Sequence, residues 1–137
     1  MKKTIRLFIL LALALPFAAC SARAPKPESE IAASSGEKVE AYYFHFNARC
    51  VTCKTIEAEA RADIDGLYGG KVSFQSVNLD DAGSKALAEK LGIAGQTLLL
   101  VKGNTRVNIT NEGFMYARSN PEKLRSIIKE KVDELLK

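Results

Sequence analysis

The sequence predicts an α/β domain, a mixed sheet of about four strands with helices on both faces. Three observations carry that reading. The runs Val39 to Phe46 and Thr97 to Val101 are almost continuously apolar, which marks central strands buried on both sides. Segments with apolar residues at helical spacing lie between the strands, in the order strand, helix, strand, helix, strand, strand, helix. The tetrapeptide Lys102-Gly103-Asn104-Thr105 reads as the turn of an antiparallel hairpin. A βαβ unit, a hairpin and a closing helix account for the pattern.

Each element has its own local cause. The first strand ends at a short loop, Asn47-Ala48-Arg49. From Cys50 to about Leu67, the residues Ile56, Ala60, Ile64 and Leu67 recur at helical spacing, with Lys54, Glu57, Arg61 and Asp65 on other faces. Gly69-Gly70 ends that helix. Lys71 to Leu79 forms a second strand through Val72, Phe74, Val77 and Leu79. Either Asp80 or Asp81 caps the next helix, which carries Ala86, Leu87 and Leu91 up to Gly92. After the strand from Thr97, Arg106 to Thr110 returns antiparallel. Asn120-Pro121 opens the last helix with Asn as N-cap and Pro at N1. Its expected buried stripe is Leu124, Ile127, Ile128, Leu135 and Leu136, with Val132 at the edge.

The front of the chain has a different character. Lys2, Lys3 and Arg6 precede an uncharged, largely apolar run from Leu7 to Ala19, too short to cross a bilayer, which takes about 20 residues. A basic start, a short apolar run and small residues at its end describe an export signal over residues 1–19. Leu15-Pro16-Phe17-Ala18-Ala19-Cys20 resembles a bacterial lipobox, with Phe17 where an aliphatic residue is usual. The resemblance implies cleavage before Cys20 and a lipid anchor on it; Ser21 does not resemble an inner-membrane retention signal, which favours the outer membrane. The alternative is cleavage after Ala22-Arg23-Ala24, giving a soluble periplasmic protein. Residues 20–37 hold Pro25, Pro27 and several serines and read as the lipidation site and a linker, leaving 38–137 as one domain.

Composition excludes one class of function. Without Lys2, Lys3 and Arg6, 20 − 3 = 17 basic residues face 16 acidic ones. No basic stripe remains, so nucleic-acid binding has no electrostatic support. The domain is expected to be a monomer, and nothing in its residues indicates a flavin or other cofactor.

Chemistry concentrates at Cys50-Val51-Thr52-Cys53, at the junction of the first strand and helix. Unpaired backbone N–H groups at a helix start favour an anion by up to ~2 kcal/mol, which lowers a thiol's pKa and makes Cys50 the candidate nucleophile. As a structural staple a four-residue loop yields only ~2 kcal/mol in the chain-entropy model, so the pair reads as a switch. A closed zinc site wants four ligands, and with Cys20 distant in the chain only three remain, Cys50, Cys53 and one histidine. His45 has two readings, a hydrogen-bonded strand residue or a nearby proton donor or third ligand. Arg49 either stabilises a thiolate, or meets an anionic substrate, or is a solvated loop residue. Lys54 reads as a solvated helix charge. Tyr42-Tyr43-Phe44 reads as core, and Phe114, Met115 and Tyr116 either pack against the final helix or line a rim near the cysteines.

The element order with this Cys pair after the first strand resembles the thioredoxin fold over about residues 38–137. Cys50-Val51-Thr52-Cys53-Lys54 matches its redox motif, Val77-Asn78-Leu79-Asp80 its second-strand ending, and Leu91-Gly92-Ile93-Ala94-Gly95 with Thr97-Leu98-Leu99-Leu100 the entry to its third strand. The resemblance implies a three-layer α/β/α fold and thiol–disulfide exchange by Cys50 and Cys53, tuned by Arg49, Val51 and Thr52, with Gln96 near the docking surface. Three positions depart from it: Arg49 replaces the tryptophan before the first cysteine, Phe44 replaces a buried acid, and Gln96 stands where a cis-proline is usual. More narrowly, Tyr42-Tyr43-Phe44-His45-Phe46 leading to Arg49-Cys50-Val51-Thr52-Cys53-Lys54, with Thr110-Asn111-Glu112-Gly113, resembles the ArsF family of arsenic-operon proteins, which carries the label nitrophenyl compound nitroreductase subunit. That resemblance implies a redox partner protein of the cell envelope or a membrane permease as partner. It also opens an alternative, in which the Cys50–Cys53 dithiol captures trivalent arsenic or another soft ion.

Overall fold

A computed structural model describes residues 38–137. The expected signal over 1–19, the lipidation site at Cys20 and the linker to residue 37 lie outside the described residues. Strand β1 (Val39–His45) leads into helix α1 (Val51–Tyr68), and β2 (Ser73–Asn78) follows. A short 3₁₀ turn, Ala82–Ser84, runs into α2 (Lys85–Leu91). Then come β3 (Thr97–Lys102), β4 (Thr105–Asn108), α3 (Thr110–Tyr116) and α4 (Pro121–Leu136).

The four strands form one mixed sheet in the order β2-β1-β3-β4. β2 runs parallel to β1, while β3 is antiparallel to β1 and β4 to β3. This is the strand order and direction of the thioredoxin fold. β1 lies at the centre, and six of its seven residues are buried, Glu40 among them with its carboxylate accepting the Tyr42 hydroxyl, which explains the almost continuous apolar run. Val39, Ala41 and Tyr43 face one layer, where they pack with Ile56 and Ile64 of α1 and Leu124 and Ile128 of α4. Tyr42 and Phe44 face the other, against Leu87 and Leu91 of α2. The Tyr42-Tyr43-Phe44 cluster is therefore core, divided between the two sides.

Helix ends follow their sequence signals. Gly69 closes α1 at φ 50°, a left-handed conformation that glycine adopts without a Cβ penalty. Asn120 caps α4 by accepting the Lys123 N–H through its side chain, with Pro121 in the first turn. Neither Asp80 nor Asp81 caps α2 directly. Asp81 precedes the 3₁₀ turn without a side-chain cap bond, and the Asp80 carboxylate accepts the Asn47 N–H at 2.6 Å instead.

Two further differences from the expected elements have physical reasons. Thr110–Tyr116 is a helix where none was expected. Its central Gly113 lowers intrinsic helix propensity but lets α3 press onto α1, where an added Cβ would lie 3.1 Å from Ile56 Cγ2. On α4 the buried stripe is Leu124, Ile128, Val132 and Leu135, whereas Leu136 is exposed. Steps of four, four and three residues hold one helix face toward the core, so Val132 is central and Leu136 points away. Among the described residues, no helix is long and apolar enough to cross a membrane.

Candidate functional site

β1 delivers the chain to a loop over residues 46–49, and its hydrogen bonds fix where the cysteines begin. The Asn78 amide donates to Asn47 Oδ1 at 2.9 Å, and Asp80 holds the Asn47 N–H. The end of β2 thus anchors the approach to the thiols. Cys50 is the N-cap of α1, with extended backbone (φ −72°, ψ 166°), and its sulfur accepts the Cys53 N–H at 3.1 Å. An N-cap side chain normally satisfies one of the helix's free donors through oxygen, and here sulfur does it.

Cys50 and Cys53 are joined as a disulfide, with Cα atoms 5.1 Å apart. The two cysteines differ in access: Cys50 is exposed, whereas Cys53 is 6% exposed and lies on the buried face of α1 with Ile56 and Ala60. After reduction, an incoming group meets Cys50 first. A thiolate there keeps the backbone donor and the positive end of the helix dipole. Val51 is 69% exposed, Thr52 is half-buried and Lys54 is exposed, so the face around Cys50 is open.

Arg49 does not reach outward. Its Nη1 donates to Glu57 Oε2, and the pair is largely shielded. Glu57 also accepts from Arg61 Nη2 at 3.4 Å, and the Ser76 hydroxyl lies close enough to favour its charged form. Burial raises the Glu57 pKa, but these donors and the Arg49 charge outweigh it and hold the carboxyl below its ordinary range. His45 lies on the same side of the sheet, its Nε2 3.0 Å from Ser76 Oγ and its Nδ1 3.0 Å from the Phe46 carbonyl. Its place is that of a hydrogen-bonded strand histidine. Gln96, half-buried, donates through Nε2 to the Tyr43 hydroxyl and so ties the loop before β3 to the central strand. Burial pushes the Tyr43 phenol pKa up, against the lowering influence of Gln96 and Arg49, while Glu57 adds to the rise.

The structure therefore brings Cys50 and Cys53 together with Val51 and Thr52 between them, turns Arg49 inward and sets Gln96 on a buried phenol. Cys20 lies outside the described residues. Sequence reasoning passed over Glu57, Ser76 and Tyr43. Glu57 carried one signal, its place four residues after Cys53, one helical turn away. Among the described residues, no group of three or more His, Cys, Asp or Glu side chains is placed to hold a metal ion. On the α2 side, Phe46, Leu79, Ala88, Ile93 and Ala94 line an open hollow of about 220 Å³.

No family model matches the chain, and no curated protein matches it. Among solved structures, Trxlp from Edwardsiella tarda EIB202 is similar at 18% identity, over 67% of this chain and 82% of that one, with a TM-score of 0.49. A malarial protein is similar at 24% identity, over 68% of this chain and 96% of that one, with a TM-score of 0.46. The fold assignment rests on the strand order and directions themselves.

Proposed function

We propose that the chain is a thiol–disulfide oxidoreductase of the cell envelope, with Cys50 as nucleophile and Cys53 as resolving thiol. One observation carries the reading: an exposed N-cap cysteine has its disulfide partner buried one turn behind it. A thiolate at Cys50 attacks a partner disulfide, and Cys53 then displaces the partner from the mixed disulfide. The export-like start and the lipobox-like Cys20 support an envelope location and a lipid anchor. In this account Val51 and Thr52 tune the pair and Gln96 stands beside the docking surface. A Cys53→Ser variant expressed with its native leader tests the idea. It should accumulate a covalent envelope partner that thiol reductants release; absence of any mixed disulfide argues against exchange.

A second reading makes the reduced pair a dithiol binding site that takes trivalent arsenic as cargo and passes it to a membrane permease. Two sulfurs within bonding range and the resemblance to an arsenic-operon family favour it. Calorimetry of the reduced protein with phenylarsenous acid decides. Binding should vanish in the Cys50→Ser, Cys53→Ser double variant, and unchanged affinity there rejects the reading.

A further inference from the structure

Two thiols that share one helix start are chemically similar unless something separates them. Access separates Cys50 from Cys53, but the helix start favours an anion on either sulfur. A second asymmetry lies one turn below. Glu57 follows Cys53 by four residues on α1, a spacing that puts side chains on the same face with Cβ atoms about 5–6 Å apart. Both turn toward the sheet, Cys53 at 6% exposed and the Glu57 side chain at 17%. Arg49 precedes Cys50 in the chain, yet its guanidinium folds back to Glu57.

We infer that the Arg49–Glu57 ion pair makes the two thiols unequal: the Glu57 carboxylate holds Cys53 as a neutral thiol, and Arg49 limits that hold so that Cys53 can still resolve. The inference rests on the oxidoreductase reading. The groups facing the carboxylate are Arg49 from the loop, Arg61 from α1 and Ser76 from β2, with His45 of β1 behind Ser76. The Tyr43 phenol of β1 is near enough to feel both charges of the pair. Glu57 is thus fixed as an anion, and an anion beside a thiol disfavours its ionisation.

The Cys50 thiolate bonds to one sulfur of a disulfide substrate. The other sulfur leaves with the electron pair and takes a proton from water. Cys53 then releases its proton to water and bonds to Cys50 Sγ, and the second substrate sulfur leaves as thiolate. The thiolate–thiol pair is oxidised by two electrons and the substrate disulfide reduced to one thiol and one thiolate. While the first step runs, the neutral Cys53 leaves Cys50 as the single attacking sulfur.

The test uses Cys50→Ser as parent, since serine is a good N-cap, and measures the rate at which iodoacetamide alkylates Cys53 at one neutral pH. Adding Glu57→Gln leaves Arg49 unopposed and should speed alkylation about fivefold or more; adding Arg49→Gln leaves the carboxylate with only the more distant, more exposed Arg61 opposing it and should slow alkylation about as much. Arg49→Lys keeps the cation and should return the rate toward the parent's. A merely structural pair predicts something else, because loosening α1 exposes Cys53 and speeds both variants. Equal rates, or changes of one sign, overturn the inference even if the native Cys pair exchanges with oxidised glutathione. Opposite-signed changes together with no such exchange uphold the pair's effect and remove the oxidoreductase reading.

Discussion

Gly113 and Gly66 are both helical glycines, and their replacement by alanine should move stability in opposite directions. Alanine gains about 1 kcal/mol over glycine within a helix. At Gly66 of α1 nothing lies within 4 Å of an added Cβ, so Gly66→Ala should realise that gain. At Gly113 the same Cβ meets Ile56 Cγ2 at 3.1 Å and Cδ1 and Cγ1 at 3.6 Å. Ile56 is fully buried and β-branched, so it cannot swing aside and α3 must lift from α1. Overpacking of this kind costs about 1–3 kcal/mol, which leaves a net loss of about 1 kcal/mol once the propensity gain is subtracted. For a domain of this size, 1 kcal/mol shifts Tm by about 4–8 °C. Thermal unfolding of the oxidised protein, followed by circular dichroism, should put Gly66→Ala above and Gly113→Ala below the parent. A rise in both refutes the close packing of α3 on α1 and, with it, the reason α3 exists.

Other expectations follow from the same geometry. Tyr43→Phe leaves the half-buried Gln96 amide without its acceptor and should cost about 1 kcal/mol in urea unfolding. Asn120→Ala removes the side-chain cap of α4 and should cost about 1 kcal/mol by the same assay. Two shielded carboxylates contribute to the acid titration of stability in opposite directions. Glu57 is held below its ordinary range, so its stabilisation is present above the unfolded pKa and lost as pH falls through the folded one. Asp63 is 5% exposed, with Oδ2 unpartnered and Oδ1 3.3 Å from Arg125. Burial raises its pKa, with Glu59 and Glu122 adding and Arg125 opposing, so its stabilisation is present at acid pH and lost as pH rises. Urea midpoints against pH should therefore fall less steeply toward acid in Glu57→Gln and more steeply in Asp63→Asn.

The architecture was legible where burial imposes a period. β1 and β3 are hydrophobic on both faces because the sheet is covered on both, and α1 shows its buried face at Ile56, Ala60 and Ile64. The sulfur pair was legible too, because its spacing and its place after a strand suffice to put Cys50 at a helix start. Helix α3 was hidden because its reason is tertiary: Gly113 argues against a helix locally, and only contact with Ile56 explains it. The inward turn of Arg49 was hidden for a related reason. A flexible side chain next to an exposed cysteine has many directions, and the choice follows from a carboxylate eight residues on that Arg61 also holds. The face of His45 became readable only through the pairing of Tyr43 with Ser76 across β1 and β2.

The most direct test of the central claim is redox equilibration of the reduced protein with mixtures of reduced and oxidised glutathione, with each sulfur identified by mass spectrometry. The account predicts a reversible Cys50–Cys53 disulfide in the native pair and, in Cys53→Ser, a glutathione adduct on Cys50. A pair that stays reduced at every ratio, or an adduct that forms on Cys53 in preference to Cys50, contradicts it.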